Sequence, residues 1–316
     1  MKNIEISSPS NGLVELFSLK EWRQRIHLLD EIYTPGTRSE YEWEICSFPN
    51  DLTGKSFIDV GANDGMISFL AERKGAAKVT SVDLYVDDEN TNLNMTQGWS
   101  IGRINKVKEI KKSSIIVKAC SVYDLGHLNE QFDVVYCGNV IAWLSNPMEA
   151  ISQLTKVTKK QLIIREDISK IKGKPVLEYV NNNDLTSCMY NGNKEFYTKY
   201  LKSLGFKSIV FKPVDEYGIL ERRDRDFPKF TIKENTKVYK NPFSDEDLSI
   251  KDVTSVSSAS ILVNNKYFFN LLGWVKKTDV EIYPYNMVPK NLFKKIIFEK
   301  KYRKNMINNC MIFAEK

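Results

Sequence analysis

Only two histidines, His27 and His127, occur in the 316 residues, and the five cysteines (Cys46, Cys120, Cys137, Cys188 and Cys310) never form a C-x-x-C pair. Tetrahedral metal sites draw on closely spaced Cys and His ligands, so no metal centre is expected, and the cysteines are read as buried, reduced thiols. No uninterrupted apolar run approaches the roughly 18 residues of a membrane-spanning helix, and the opening MKNIEISSPSNG lacks the apolar core of a secretory signal. A cytoplasmic location is the expectation. Internal repeats and low-complexity tracts are missing too. What remains, 42% hydrophobic and 27% charged residues, is the composition of a globular chain able to bury a core.

Net positive charge is missing outside one segment. Residues 289–304, PKNLFKKIIFEKKYRK, hold seven Lys/Arg against one Glu, which accounts for the whole net charge of +6. Interleaved with Leu292, Phe293, Ile296, Ile297 and Phe298, this stripe reads first as an amphipathic helix that packs its apolar side and solvates its lysines. A patch for nucleic acid or for peripheral contact with an anionic membrane is the alternative.

Apolar runs of strand length fall at 56–60, 79–84, 114–118, 132–137, 161–164 and 208–212, with helical stretches near 64–74, 98–112, 146–158 and 193–204. Such alternation predicts an α/β fold, a mostly parallel sheet with crossover helices on both faces. Asn146-Pro147-Met148-Glu149 has an N-cap, a proline at the first helical position and a box-closing acid; Gly75 and Gly205 fall where helix C-caps should lie. Ser39 with Glu42 reads as a capping box in a mixed, mostly helical lead-in over 1–50. The alternation occupies 51–216 and stops there. Residues 217–305 then read as an insertion, a lid or substrate-binding subdomain, before a last strand within 306–316 that joins the same sheet antiparallel to its neighbours. A separate C-terminal domain is the alternative.

Four segments carry chemistry, all at carboxyl ends of expected parallel strands, where open α/β sheets bind ligands. In FIDVGANDG (57–65), Gly61 and Gly65 let the backbone approach a ligand, while Asp59 and Asp64 suit a cationic amino group rather than a phosphate. A tight strand-to-helix turn is the structural alternative. VTSVDL (79–84) ends on Asp83, placed to accept both hydroxyls of a ribose. ACSVYD (119–124) offers Ser121 and adjacent amides to an adenine edge. FDVVYCGN (132–139) opens into the cleft at Asn139.

DLTGKSFIDVGANDGMISFLAERKGAAKVTSVDLY (51–85), continued by FDVVYCGNVIAWLSNPMEAISQL (132–154) and NKEFYTKYLKSLGF (193–206), resembles the methyltransferases related to the tRNA 5-methoxyuridine/carboxymethoxyuridine enzymes; YTPGTRSEYEWE (33–44) resembles their lead-in. The resemblance covers roughly 20–215 and the last strand, not 217–305. It implies a Rossmann-like class I methyltransferase with a seven-stranded sheet and S-adenosylmethionine in the cleft. Asp59, Gly61, Asn63, Asp64 and Gly65 would hold the methionine part, Asp83 and Leu84 the ribose, Ser121 and Val122 the adenine, with Asn139 beside them.

The departures fall on the acceptor side. Where the family reads G-V-L-Y-H after the fourth strand, this chain reads NVIAW, with Ala142 and Trp143 in place of Tyr and His. Two lysines that carboxymethyl-transferring members pair with the donor's extra carboxylate fall at Gln24 and Glu42, so plain S-adenosylmethionine is expected. Trp143 would form an apolar or stacking wall, and Arg25 and Arg38 in the lead-in are further acceptor-side candidates. A hydroxyl acceptor needs a base, for which His27, Glu166 and Asp167 are the candidates; each also has a structural reading, as a cap, a packed ring or a loop start. Three functions stay open: a small-molecule or glycan methyltransferase, a tRNA wobble-uridine-modifying enzyme that grips phosphates through 289–304, and a non-catalytic scaffold that binds S-adenosylmethionine.

Overall fold

The computed structural model describes residues 22–29, 32–34, 38–84, 101–181, 188–215 and 308–316, residues 13, 16 and 36, and short strands between 229 and 283. The chain divides into two compact units: residues 1–42, 86–113 and 217–299 in one, and residues 43–85, 114–216 and 300–316 in the other.

The second unit holds a seven-stranded sheet. Its strands are β1 (Ser56–Val60), β2 (Lys78–Asp83), β3 (Ile116–Ala119), β4 (Phe132–Gly138), β5 (Thr158–Ile168), β6 (Ser208–Pro213) and β7 (Asn308–Glu315). Their order is β6-β7-β5-β4-β1-β2-β3. The five strands from β3 to β5 are parallel, whereas β7 runs antiparallel to both β5 and β6. β1 and β4 are buried along almost their whole length. That is why they read as continuous apolar runs rather than alternating ones. The order reverses beside β1, so the carboxyl ends of β1 and β4 diverge and open a crevice there.

Helices cover both faces. On one, Ile58, Cys137, Leu162, Ile164 and Ile312 pack with Ile151 and Leu154 of α3 (Pro147–Val157) and with Tyr197 and Leu201 of α4 (Lys194–Ser203). On the other, α1 (Met66–Arg73) reaches β1 through the bond from Ser68 Oγ to Asp59 Oδ2 (2.8 Å). There Trp43 stacks on Phe48, which meets Tyr136 edge-on. Helix α2 (Ile101–Lys111) belongs to the first unit.

Local signals end the helices as the sequence leads one to expect. Asn146 Oδ1 accepts from Glu149 N with Pro147 at the first position. Asn193 Oδ1 accepts from Phe196 N at the start of α4, and Gly75 and Gly205 take left-handed φ values just past α1 and α4. The capping box at Ser39 is a correction. Glu42 donates its backbone N–H to Ser39 O, but its carboxylate turns to the Arg38 guanidinium in a two-point pair (3.1 and 2.8 Å). A planar guanidinium outcompetes a single amide for a carboxylate.

The first unit's described lead-in contains a two-stranded ladder, His27–Leu29 with Ile32–Tyr33, where helix dominated the sequence reading. Thr34 pins it, accepting from Ile26 N and donating to Gln24 O, both at 2.7 Å. Within 217–305 the described residues are strands, in ladders joining Lys229–Ile232 to Val256–Ser258 and Val280–Tyr283, and Tyr267–Asn270 to Ile261–Leu262 and Gly273–Lys276. The basic stripe 289–304 lies outside the described residues.

Candidate functional site

Three left-handed residues in alternation, Gly61 (φ 75°), Asn63 (φ 57°) and Gly65 (φ 89°), turn the chain from β1 into α1. Asn tolerates this region better than other side-chain-bearing residues. The turn is laced to β2 by bonds from Gly61 N and Ala62 N to Val82 O and from Asn63 N to Asp83 Oδ2 (2.8 Å). A methyl group on Gly61 would stand 2.3 Å from Val140 Cγ2. Gly61→Ala should therefore cost about 2 kcal/mol or more of stability, measured by urea unfolding. The double variant with Val140→Ala should recover part of the loss; no recovery would show that backbone strain alone is responsible.

Asp83 ends β2 with both carboxylate oxygens oriented by backbone donors, Asn63 N on Oδ2 and Leu84 N on Oδ1 (2.7 Å). A carboxylate accepts up to about four hydrogen bonds, which is the chemistry a pair of ligand hydroxyls requires. Leu84 itself is exposed at the same strand end. Asp59 is buried on β1, and burial above all pushes its carboxyl up to about 7; the Asp83 carboxylate adds to the rise, while Ser68 opposes it. Asp64 is fully buried in the turn. Two buried polar atoms here lack a partner among the described residues: Asn63 Oδ1 and the hydroxyl of Ser81, which is the register partner of Asp59.

At the end of β3, Ser121 Oγ accepts from Tyr123 N and caps the 3-10 turn Val122–Leu128, leaving Val122 buried at its start. Beyond β4, Asn139 takes a left-handed conformation (φ 55°), and its N–H donates to Arg165 O (2.7 Å). A short 3-10 turn, Ile141–Trp143, follows. Ala142 is buried and Trp143 is 51% exposed. Tyr123 Oη accepts from Asn146 N, so the turn after β3 braces the segment behind Trp143.

The base candidates part company. Glu166 is buried on the face of β5 that carries Ile164, and its Oε1 accepts from Val140 N (2.9 Å) and Ile141 N (2.8 Å), anchoring the turn that bears Trp143. Burial pushes its carboxyl up to about 8, against the lowering effect of those amides. Asp167 lies on the opposite face, partly exposed, and accepts from Asn309 Nδ2 (3.0 Å). His27, Arg25 and Arg38 all belong to the first unit. There His27 rests against the Tyr33 ring and its carbonyl accepts from Lys111 Nζ, the Arg25 guanidinium lies over the same ring, and Arg38 holds Glu42.

Asn309 escaped the sequence reading. It is the second residue of the last strand, 142 residues from Asp167, and only the antiparallel register of β7 with β5 makes it that residue's partner. A polar residue at the mouth of the apolar run Cys310–Ala314 was the only trace of it.

The acids and unpartnered polar atoms around the Gly61 turn fit a polyhydroxylated ligand that carries positive charge. S-Adenosylmethionine, with its sulfonium, ammonium and ribose hydroxyls, meets that description. Residues 58–164 match the family described as "Methyltransferase domain". Among curated proteins, the chain is similar to the tRNA U34 carboxymethyltransferases of Campylobacter concisus (28% identity over 154 residues, 48% of this chain and 49% of that one) and Campylobacter hominis (25% over 138 residues, 43% and 44%). The chain thus spans less than half the length of these relatives. Among solved structures, a putative S-adenosylmethionine-dependent methyltransferase from Listeria monocytogenes aligns with 58% of this chain and 92% of its own (15% identity, TM-score 0.41). Magnesium protoporphyrin IX methyltransferase from Synechocystis aligns with 55% and 69% (17% identity, TM-score 0.39). The sheet order, the antiparallel β7 and the family match together define a Rossmann-like methyltransferase domain of the class that uses S-adenosylmethionine.

Proposed function

We propose that this chain transfers the methyl group of S-adenosylmethionine to an oxygen of a small hydroxylated acceptor, a sugar or glycan. The observation that carries the donor half is Asp83, oriented by two backbone amides beside the buried carboxyl of Asp59. In this reading Asp83 and the Leu84 amide region take the ribose, Ser121 and Val122 take the adenine, and Asp59, Gly61, Asn63, Asp64 and Gly65 surround the methionine part. The bound donor supplies the electrophilic methyl group. The protein holds donor and acceptor in line and excludes water, which is most of what such a displacement needs. Trp143, exposed after β4, forms a wall for the acceptor.

The donor is the plain rather than the carboxylated cofactor. Of the two positions where the family resemblance puts lysines, Gln24 is uncharged and Glu42 is an acid already paired with Arg38. Calorimetry tests this: S-adenosylmethionine and S-adenosylhomocysteine should bind at micromolar levels, and the carboxylated donor more weakly than either. No binding of any of the three would overturn the methyltransferase reading, and tighter binding of the carboxylated donor would overturn the donor assignment. A second reading, modification of tRNA, rests on the names of the curated relatives and on the basic composition of 289–304. Salt-dependent tRNA binding that is lost on charge reversal of Lys294, Lys295, Lys300 and Lys301 would support it.

A further inference from the structure

Asn309 of β7, Arg165 and Asp167 of β5, and Asn139 just past β4 meet at the end of the sheet where β1, β4 and β5 finish. Arg165 Nε donates to Asn309 Oδ1 (2.9 Å). Asn309 Nδ2 donates to Asp167 Oδ1 (3.0 Å) and, at a longer 3.4 Å, to Asn139 Oδ1. The backbone holds the cluster as well, through Asn139 N to Arg165 O and Val214 N to Asn309 O.

Donor chemistry settles which way each amide faces. A guanidinium can only donate, so the oxygen of Asn309 must face Arg165 and its nitrogen must face the other two. Asn139 therefore turns its own oxygen toward Asn309, which leaves its NH2 as a donor. Asp167 has one oxygen on Asn309, and its other oxygen has no hydrogen-bond partner among the described residues. One buried arginine thus sets the polarity of two partly exposed groups, a carboxylate acceptor and an amide donor, through a single intervening side chain.

We infer that Asn309 is a positioning residue that presents Asp167 and Asn139 as an acceptor-and-donor pair for two neighbouring oxygens of the methyl acceptor, a vicinal diol of a sugar. This rests on the methyltransferase reading above and reassigns Asn139 from the donor to the acceptor side. The complement of such a pair is a hydroxyl that donates to Asp167 next to an oxygen that accepts from Asn139. A diol supplies both. A carboxamide also carries a donor and an acceptor, but its nitrogen lone pair is delocalised and a poor nucleophile. In the transfer, the hydroxyl oxygen forms a bond to the sulfonium methyl carbon. The carbon–sulfur bond breaks with its electron pair staying on sulfur, giving S-adenosylhomocysteine, and the hydroxyl proton passes to Asp167 and on to water. Asn139 steadies the neighbouring oxygen. Glu166 does not take part: it lies on the opposite face and is committed to Val140 and Ile141.

The experiment uses the full chain with S-adenosylmethionine and methyl glycosides of hexoses carrying vicinal diols, their monodeoxy counterparts, a primary amine and an unmodified tRNA transcript. Turnover should occur with vicinal diols and be lost with the deoxy compounds. Turnover on the amine or the tRNA instead, or none on any diol by a protein that binds S-adenosylhomocysteine, overturns the diol site. Failure to bind S-adenosylhomocysteine is a different result, and overturns the underlying methyltransferase reading. Asn309→Asp keeps the acceptor for Arg165 but turns a negative oxygen on Asp167 and Asn139. It should raise the acceptor KM about tenfold or more and move the acid limb of the pH profile up by about one unit, while affinity for S-adenosylhomocysteine stays within about twofold. A parallel loss of ligand affinity, or an unchanged pH profile, would show that Asn309 only supports the fold. Should that variant fail to fold, Asp167→Asn decides: kcat should fall about 100-fold or more, and undiminished turnover overturns the assignment.

Discussion

Asp83→Ala should weaken S-adenosylhomocysteine binding by about 100-fold or more, the largest effect expected of any single substitution on the donor side. Hydrogen bonds to a charged group contribute about 1.5–3 kcal/mol each, and two ribose hydroxyls would be lost at once. The carboxylate also holds the Gly61 turn through Asn63 N, so part of the loss would come from a loosened turn. Asp83→Asn separates the two contributions. Its amide oxygen still accepts one bond, but the charge and one acceptor are gone, and an intermediate affinity is expected. Calorimetry on both variants, with far-ultraviolet dichroism to confirm folding, reads the result. Affinity unchanged in the alanine variant would remove Asp83 from the ribose site.

The second large effect is on pH. Asp59 and Glu166 are raised by burial to about 7 and about 8 from ordinary values of 3.8 and 4.5. Between its unfolded and folded values, each group keeps in the native state a proton that the unfolded chain has released. Stability is therefore fully present below about pH 4, falls as pH rises, and levels off above about pH 8. The loss is on the order of 4 kcal/mol for each group. Glu166→Gln can still accept from Val140 N and Ile141 N but cannot ionise. Its urea midpoint should match the parent near pH 4 and exceed it clearly at pH 9; a variant no more stable than the parent at pH 9 would contradict the account. Ligand binding carries the opposite sign. A cationic ligand selects the ionised form of Asp59, so affinity should rise up to tenfold per pH unit below about 7, with a proton released on binding. Calorimetry in two buffers of different ionisation enthalpy measures that proton directly, and Asp59→Asn should abolish it.

Much of this architecture is legible in the order of residues. All seven strands and the four helices α1 to α4 fall within a few residues of the apolar runs and caps that predict them, because strand periodicity, N-cap asparagines and C-terminal glycines act over a handful of neighbours. The ladder at His27–Tyr33 differs from the helical expectation because its stabilising contacts, Thr34 to Gln24 and Ile26, lie across the turn rather than along it. Glu42 shows the same limit. Its spacing from Ser39 fits a capping box, but the adjacent Arg38 is the stronger partner, and only side-chain placement reveals that.

The residues proposed for the donor side are legible in the sequence alone, since Asp59, Gly61, Asn63 and Gly65 lie within one strand-turn-helix passage and Asp83 ends the very next strand. The residues proposed for the acceptor side come together only in the tertiary structure. Neighbours in sequence, Glu166 and Asp167 point to opposite faces of β5, so one anchors a turn while the other, partly exposed, pairs with Asn309. Asn309 reaches Asp167 only because the last strand inserts antiparallel between β5 and β6. A strand's alternation assigns faces only once its register and neighbours are known, and those depend on contacts more than a hundred residues apart.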